Sequence, residues 1–165
     1  MSDENSEVGP KDWSFTSHVG ADLRGIDLSG ANLRRAVFDG ADLEGADLSG
    51  ADLRRASFKR ANLMKAAFDD ADMRDASFVK ARMNLSNFQR CRLDGADLRG
   101  IRGRYAIWRE ANWWEATMDD GLRNALEKKW PKPGTDSLGS FWKGLLASIQ
   151  GLLSSSSHHS YLHIQ

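Results

Sequence analysis

In the stretch GADLEGADLSGADL, residues 40–53, Ala41, Ala46 and Ala51 stand five residues apart, and Leu43, Leu48 and Leu53 follow each of them by two. The period runs far beyond this stretch. Counting by fives from Ala21 to Ala116 meets alanine at every station except Ile26, Ser86, Cys91 and Ile101. The companion count from Leu23 to Met118 meets Leu, Phe, Met or Trp everywhere except Gly103. Repeats of this kind decide an architecture before any other signal does.

Neither regular backbone has a period of five. In an α-helix, five residues at roughly 100° each advance about 140°, so the leucines would scatter around the circumference and bury no common stripe. In a straight strand the side chains alternate with period two, and an odd repeat sends successive core residues to opposite faces. A chain that bends once per unit escapes both failures. Within a unit, the alanine and the large residue two places later point the same way, and a corner re-aims the next pair inward.

The remaining three places fit that reading. Glycine fills the last place at 25, 30, 40, 45, 50, 95 and 100, where a turn with positive φ favours it. Arg or Lys fills it at 35, 55, 60, 65, 80 and 90, which predicts two kinds of corner, only one of them needing positive φ. Asp or Asn precedes the large residue at 22, 27, 32, 42, 47, 52, 62, 72, 87, 97 and 112. Such side chains bond nearby backbone in turns, and because they recur with the scaffold they are expected to be structural, not catalytic.

The units ADLRG, ADLEG, ADLSG and ANLRR resemble the repeat of the pentapeptide repeat family. That resemblance implies an all-β solenoid, a right-handed quadrilateral β-helix with four units per coil. It spans residues 21–120, about five coils, and weakens at IRGRYAIWREANWW. Sorted by twenty, Phe38, Phe58 and Phe78 fall in one column with Leu98 and Met118, and Leu28, Leu48, Phe68, Phe88 and Trp108 in another. A shaft this narrow, filled by small residues beside large ones, leaves no room for a ligand.

Solenoid ends expose unpaired backbone and need caps. Residues 1–20 read as an N-terminal extension and cap, with Trp13 and Phe15 as lids. Residues 121–131 read as a capping helix, N-capped by Asp120 and stopped by the prolines at 131 and 133, with Leu122, Ala125 and Leu126 facing the last coil. Residues 132–153 form a linker and an amphipathic helix. Its apolar stripe, Leu138, Phe141, Trp142, Leu145, Leu146, Ile149, Leu152 and Leu153, follows i, i+3, i+4 spacing. The stripe must meet something, and a second copy of the chain is the expected occupant, making a homodimer. A lipid interface is the lesser alternative, since the opposite side of that helix carries one charge, Lys143. The serine-rich tail 154–165 reads as disordered.

The chemistry of enzymes is missing from this pattern. The chain has four histidines; His158, His159 and His163 cluster in the tail, with nothing around them to orient a metal ligand. Cys91 occupies an inward alanine station and reads as core. No catalytic, cofactor or metal site is expected. The 23 basic and 23 acidic residues cancel, which argues against direct nucleic-acid binding. An acidic, polar N-terminus and the lack of a long apolar run predict a cytoplasmic protein. Within the neutral total, Arg34, Arg35, Arg54, Arg55, Lys59, Arg60, Arg74 and Lys80 form a candidate basic stripe for an acidic protein partner. The sequence thus describes a non-catalytic interaction or structural module. The family resemblance adds a rival, since some members bind DNA gyrase by imitating DNA, and a delivered or membrane-associated effector is a third reading.

Overall fold

The computed structural model describes residues 11–134. From Lys11 to Glu110 every five-residue unit repeats one geometry, an extended triplet followed by a two-residue corner. The middle residue of each triplet from Asp12 to Asn87 pairs in parallel with the residue twenty places on: Asp22 with Asp42, Asp42 with Asn62, Asn62 with Arg82. Four units therefore close one coil, and the coils stack. The triplets are too short to form extended strands, so the sheet character lies in single rungs, such as Asp42 N–H to Ala21 O (2.9 Å) and Leu43 N–H to Asn62 O (2.7 Å).

The corners are uniform, which corrects the expectation of two kinds. Arg35, Arg55, Arg60, Lys65, Lys80 and Arg90 have φ between 56° and 60°, in the left-handed region beside Gly45 at 69° and Gly100 at 71°. Each corner is closed by a backbone bond, as from Ala41 N–H to Phe38 O (3.0 Å), in the manner of a type II turn. The uniformity follows from stacking. Corner amides bond the corner of the next coil, Arg35 N–H to Arg54 O and Arg55 N–H to Arg74 O, so one corner cannot change type without breaking rungs above and below. Side chains other than glycine bear a cost of roughly 1–2 kcal/mol at such angles.

The aspartates before the large residues serve these corners. Asp27, Asp42 and Asp47 each accept the backbone N–H two residues on, at 3.0, 3.1 and 2.9 Å. The carboxylates belong to the scaffold.

Inside, the alanine stations from 31 to 81 and the large residues from Leu33 to Met83 are at most 1% exposed. Phe38, Phe58 and Phe78 stack at 4.9 and 5.1 Å, and Phe68, Phe88 and Trp108 at 4.9 and 4.4 Å. The two columns meet edge to face, Phe68 against Phe58 and Phe78 at 6.5 and 6.2 Å. Ser86 and Cys91 sit in alanine stations and bond carbonyls of the coil below, Leu63 O (2.5 Å) and Phe68 O (2.8 Å). At Gly103, where a large residue is due, Ile101 Cδ1 and Met83 Cγ come within 3.7 and 3.8 Å of where a Cβ would stand. The bulk has moved to a neighbouring station.

The register begins ten residues before the expected start. Asp12 pairs with Asn32 and Ser17 with Val37, so residues 11–20 are coil. Their polar stations, Lys11 and Thr16, hide the repeat. His18 takes a core position, stacked on Phe38 at 5.1 Å, and Trp13 stacks on His18 at 4.4 Å. Phe15 is not a lid: it sits at a corner, 70% exposed, beneath the Arg35 guanidinium at 5.5 Å.

At the other end, Trp113–Glu115 forms a 3-10 turn and helix α1 spans Asp120–Lys129. Asp119, not Asp120, is its N-cap residue, and the Asp119 carboxylate is turned to Gly100 N–H (2.6 Å), a corner amide with no coil above it. Leu126 is buried and Leu122 partly so, whereas Ala125 is exposed, contrary to expectation. Trp113 Nε1 donates to Trp130 O at 3.0 Å. Coil and cap form one compact unit ending at Trp130, and Pro131 opens a second. The stripe from Leu138 to Leu153 and the tail histidines lie outside the described residues.

Candidate interaction surface

Among the described residues, the filled shaft leaves only outer faces and corners for contact with another molecule. The period of twenty sorts them. One corner column carries Arg34–Arg35, Arg54–Arg55 and Arg74–Asp75 in successive coils, and the next carries Asp39–Gly40, Lys59–Arg60 and Val79–Lys80. The face between these columns presents only Val37, Ser57 and Ser77 in these coils. The eight residues of the sequence-derived stripe are thus brought together as the two edges of one face. Its floor is a triplet of roughly 3.3 Å per residue, so the edges stand about 10 Å apart. Shallow clefts of about 260 and 390 Å³ open on the two edges.

The two edges differ in how their charge is held. Arg54 forks onto Asp52 at 2.8 and 2.5 Å and Arg74 onto Asp72 at 2.8 and 2.6 Å. Arg34 lies 4.0 Å from Asp52, and Arg55 3.5 Å from Asp75. These bonds favour the ionised forms: arginine donors hold the Asp52 carboxyl below its ordinary range and push Arg54 and Arg74 up. On the other edge, Asp39 accepts from Ser57 Oγ and Lys59 N–H at 2.5 and 3.0 Å. Among the described residues no carboxylate comes within ion-pair distance of Lys59, Arg60 or Lys80. Their ammonium and guanidinium groups face solvent on exposed residues.

The far side of the shaft has the opposite sign. Asp47 projects from the opposite face, with Glu44, Asp69 and Asp70 at its corners, and Asp42 from the face that adjoins the Lys59–Arg60 corner. Part of that charge is compensated, by Lys65 on Glu44 (3.3 Å) and Arg90 forked onto Asp70 (2.7 and 2.8 Å). A chain neutral in total has sides of unlike sign in the coils from Arg34 to Lys80. Sequence counting missed this because opposite signs alternate along the chain and separate only after folding by twenty.

Cys91 is 2% exposed and burial pushes its thiol well above the ordinary range, so it is no nucleophile in the folded chain. Among the described residues no group of three His, Cys, Asp or Glu could hold a metal ion, and no helix is long and apolar enough to cross a membrane.

Two family models match the sequence, pentapeptide repeats in eight copies over residues 19–55 and a pentapeptide repeat region over residues 51–125. The chain is a pentapeptide repeat protein. Proteins of this family form right-handed quadrilateral β-helices, in keeping with the four-unit coil. Similar solved structures include the pentapeptide repeat protein Rfr23 from the cyanobacterium Cyanothece 51142, at 18% identity and TM-score 0.35, covering 66% of this chain and 91% of that one. HetL from Nostoc sp. strain PCC 7120, involved in heterocyst differentiation regulation, matches at 24% identity and TM-score 0.37 over 69% of this chain and 77% of its own. Full-length QnrB1, a plasmid-mediated fluoroquinolone resistance protein, matches at 14% identity and TM-score 0.33 over 68% and 65%. No curated protein matches this pentapeptide repeat chain.

Proposed function

We propose that this pentapeptide repeat protein is a non-catalytic interaction module whose Val37–Ser57–Ser77 face receives an acidic surface of a protein partner. The observation that carries this reading is the pairing of a filled shaft with a flat, small-residue floor between two basic edges. Within the described coils a partner can meet only the outside, and from Arg34 to Lys80 that outside has sides of unlike sign. Rungs above and below fix every corner, so the arginines and lysines are presented on a rigid frame that loses little entropy on binding. The charges not neutralised in place, on Lys59, Arg60 and Lys80, steer and orient the partner. Self-association through the stripe at Leu138, Phe141, Trp142, Leu145, Leu146, Ile149, Leu152 and Leu153 belongs to the same proposal and would give the module two such faces.

Affinity capture with the intact protein, against a variant carrying Arg55→Glu, Lys59→Glu and Lys80→Glu, tests the face. A partner held at low salt by the intact protein and lost from the variant is the expected result; equal capture by both refutes it. Sedimentation of the intact chain and of one ending at Trp130 tests the dimer, which should survive only with the full C-terminus.

A second reading has one observation in its favour. Asp47, Asp69 and Asp70 gather on the remote side of the shaft, with Asp42 on the adjoining face, where a duplex-mimicking, topoisomerase-directed protein would need them. The interleaved Lys65 and Arg90 weaken that imitation, since a duplex carries one charge per about 1.7 Å of axis without compensation. A gyrase supercoiling assay separates the readings: micromolar inhibition abolished by Asp42→Asn and Asp47→Asn would favour the mimic.

A further inference from the structure

A different corner carries an inference that does not depend on the basic face. In the column where the lower coils place Gly25 and Gly45, the two upper coils place Leu85 and Tyr105. Both hold positive φ, 62° and 63°, and both are exposed, at 52% and 70%. The corner does not require them, since Gly25 and Gly45 turn there with open space around them. Ile107, two residues beyond Tyr105, adds a third exposed apolar side chain. A folded chain gains nothing by holding a large apolar residue both strained and in water, so a patch of this kind points to contact with something else.

Two further features surround the patch. Arg82, Arg102 and Arg104 lie beside it, and among the described residues none has a carboxylate within ion-pair distance; Arg82 Nη2 meets only Met64 Sδ, at 3.2 Å. A shallow cleft of about 360 Å³ runs between Asn84, Arg102 and Arg104. The backbone is open as well. One coil below, Met83 N–H donates to Arg102 O (2.8 Å) and Leu85 N–H to Arg104 O (3.0 Å). The equivalent donors of the top coil, Gly103 N–H and Tyr105 N–H, have no acceptor among the described residues. The shaft ends here in an unpaired edge able to accept another rung.

We propose that this edge docks an extended acidic segment of another protein. Its backbone carbonyls would take the Gly103 and Tyr105 amides, its carboxylates Arg102 and Arg104, and an apolar side chain the surface of Leu85, Tyr105 and Ile107. The chain's own residues 131–165 are a poor occupant, because they supply a single carboxylate side chain, Asp136. A long polyanion fits no better. The patch covers two coils, about 10 Å at the rung spacing, and below the intervening Asn62–Lys65 coil the same side carries Asp42, Glu44 and Asp22.

The test uses the intact chain and a fluorescein-labelled decapeptide of alternating Glu and Leu, read by anisotropy. Saturable, salt-sensitive binding is expected, weakened at least tenfold by Arg102→Glu with Arg104→Glu. The decisive variant is Leu85→Gly with Tyr105→Gly. It restores the residue that positive φ favours, so the melting temperature should hold or rise while binding falls at least tenfold. A purely structural role would leave peptide binding unmoved. The proposal is overturned by no saturable binding up to 1 mM peptide, by equal binding of the matching Gln–Leu peptide, by full binding to the glycine variant, or by tighter binding of a single-stranded oligonucleotide or a phosphatidylserine vesicle.

Discussion

Replacing Phe58 by alanine should be among the most damaging changes the coil can suffer. Phe58 is fully buried, stacked between Phe38 at 4.9 Å and Phe78 at 5.1 Å, with the edge of Phe68 at 6.5 Å. Truncation removes roughly 150 Å² of apolar surface from the core, which at about 25 cal/mol/Å² is a transfer loss of about 4 kcal/mol. Collapse cannot recover much of it. The rings that could close in, Phe38 and Phe78, sit on backbones held apart by rungs such as Phe58 N–H to Ser77 O (2.7 Å) and Ser57 N–H to Ala36 O (2.9 Å). The cost should therefore sit near the top of the range for such truncations, about 4–5 kcal/mol. Urea unfolding followed by circular dichroism and by tryptophan fluorescence measures it. Because neighbouring coils support one another, the variant is expected to lose the coincidence of the two probes as coils near residue 58 open first. Phe58→Leu, which keeps most of the volume, should cost less than half as much. A loss under 1 kcal/mol for Phe58→Ala would show that the shaft adjusts its coil spacing, and the argument from fixed rungs would fail.

The corners, the thiol and the acid limb yield three further expectations. Gly45→Ala places a Cβ in open space at φ 69°, so its cost of about 1 kcal/mol is conformational alone, and Arg60→Gly at φ 59° should be neutral or stabilising by melting temperature. Cys91 should stay unlabelled by a thiol reagent in the folded protein and react only on unfolding, while Cys91→Ala costs about 1 kcal/mol; rapid native labelling would mean the alanine stations do not face inward. Arginine hydrogen bonds hold the carboxyls of Asp22, Asp70 and Asp97 below their ordinary range, Asp22 at about 2. Groups depressed in the folded state contribute stability above the unfolded pKa, near 4, and lose it as pH falls through the folded value. Melting temperature should then be level from neutral pH to about 4.5 and fall between about 4 and 2, and a level profile down to pH 2 would contradict the ion pairs.

The path of the shaft was legible because its constraint is local and exhaustive. Each unit must present one small and one large residue inward, and no other backbone satisfies a period of five. What escaped was whatever the amino-acid type does not fix. Arg35 and Gly40 look like different corners but share one conformation, because the rung to the next coil sets the backbone and the side chain bears the strain. His18 looks like a polar loop residue but stacks in the phenylalanine column between Phe38 and Trp13, where an imidazole with Thr16 Oγ1 at 2.8 Å is satisfied.

The surface was legible only in part, for a related reason. Arg34 and Lys59 are twenty-five residues apart, one full coil and one corner, so no window along the chain shows that they border the same face. Folding by twenty makes them neighbours and moves Asp47 to the opposite face. The same operation separates two kinds of arginine that composition treats alike. Arg54 and Arg74 are committed to Asp52 and Asp72 and serve the coil, whereas Arg102 and Arg104 have no carboxylate in reach and stand beside an open edge. Charge already paired contributes little to a new contact, because the partner must first displace the carboxylate that holds it. The unpaired arginines, not the most numerous ones, are therefore where substitution to glutamate should most change what this protein binds.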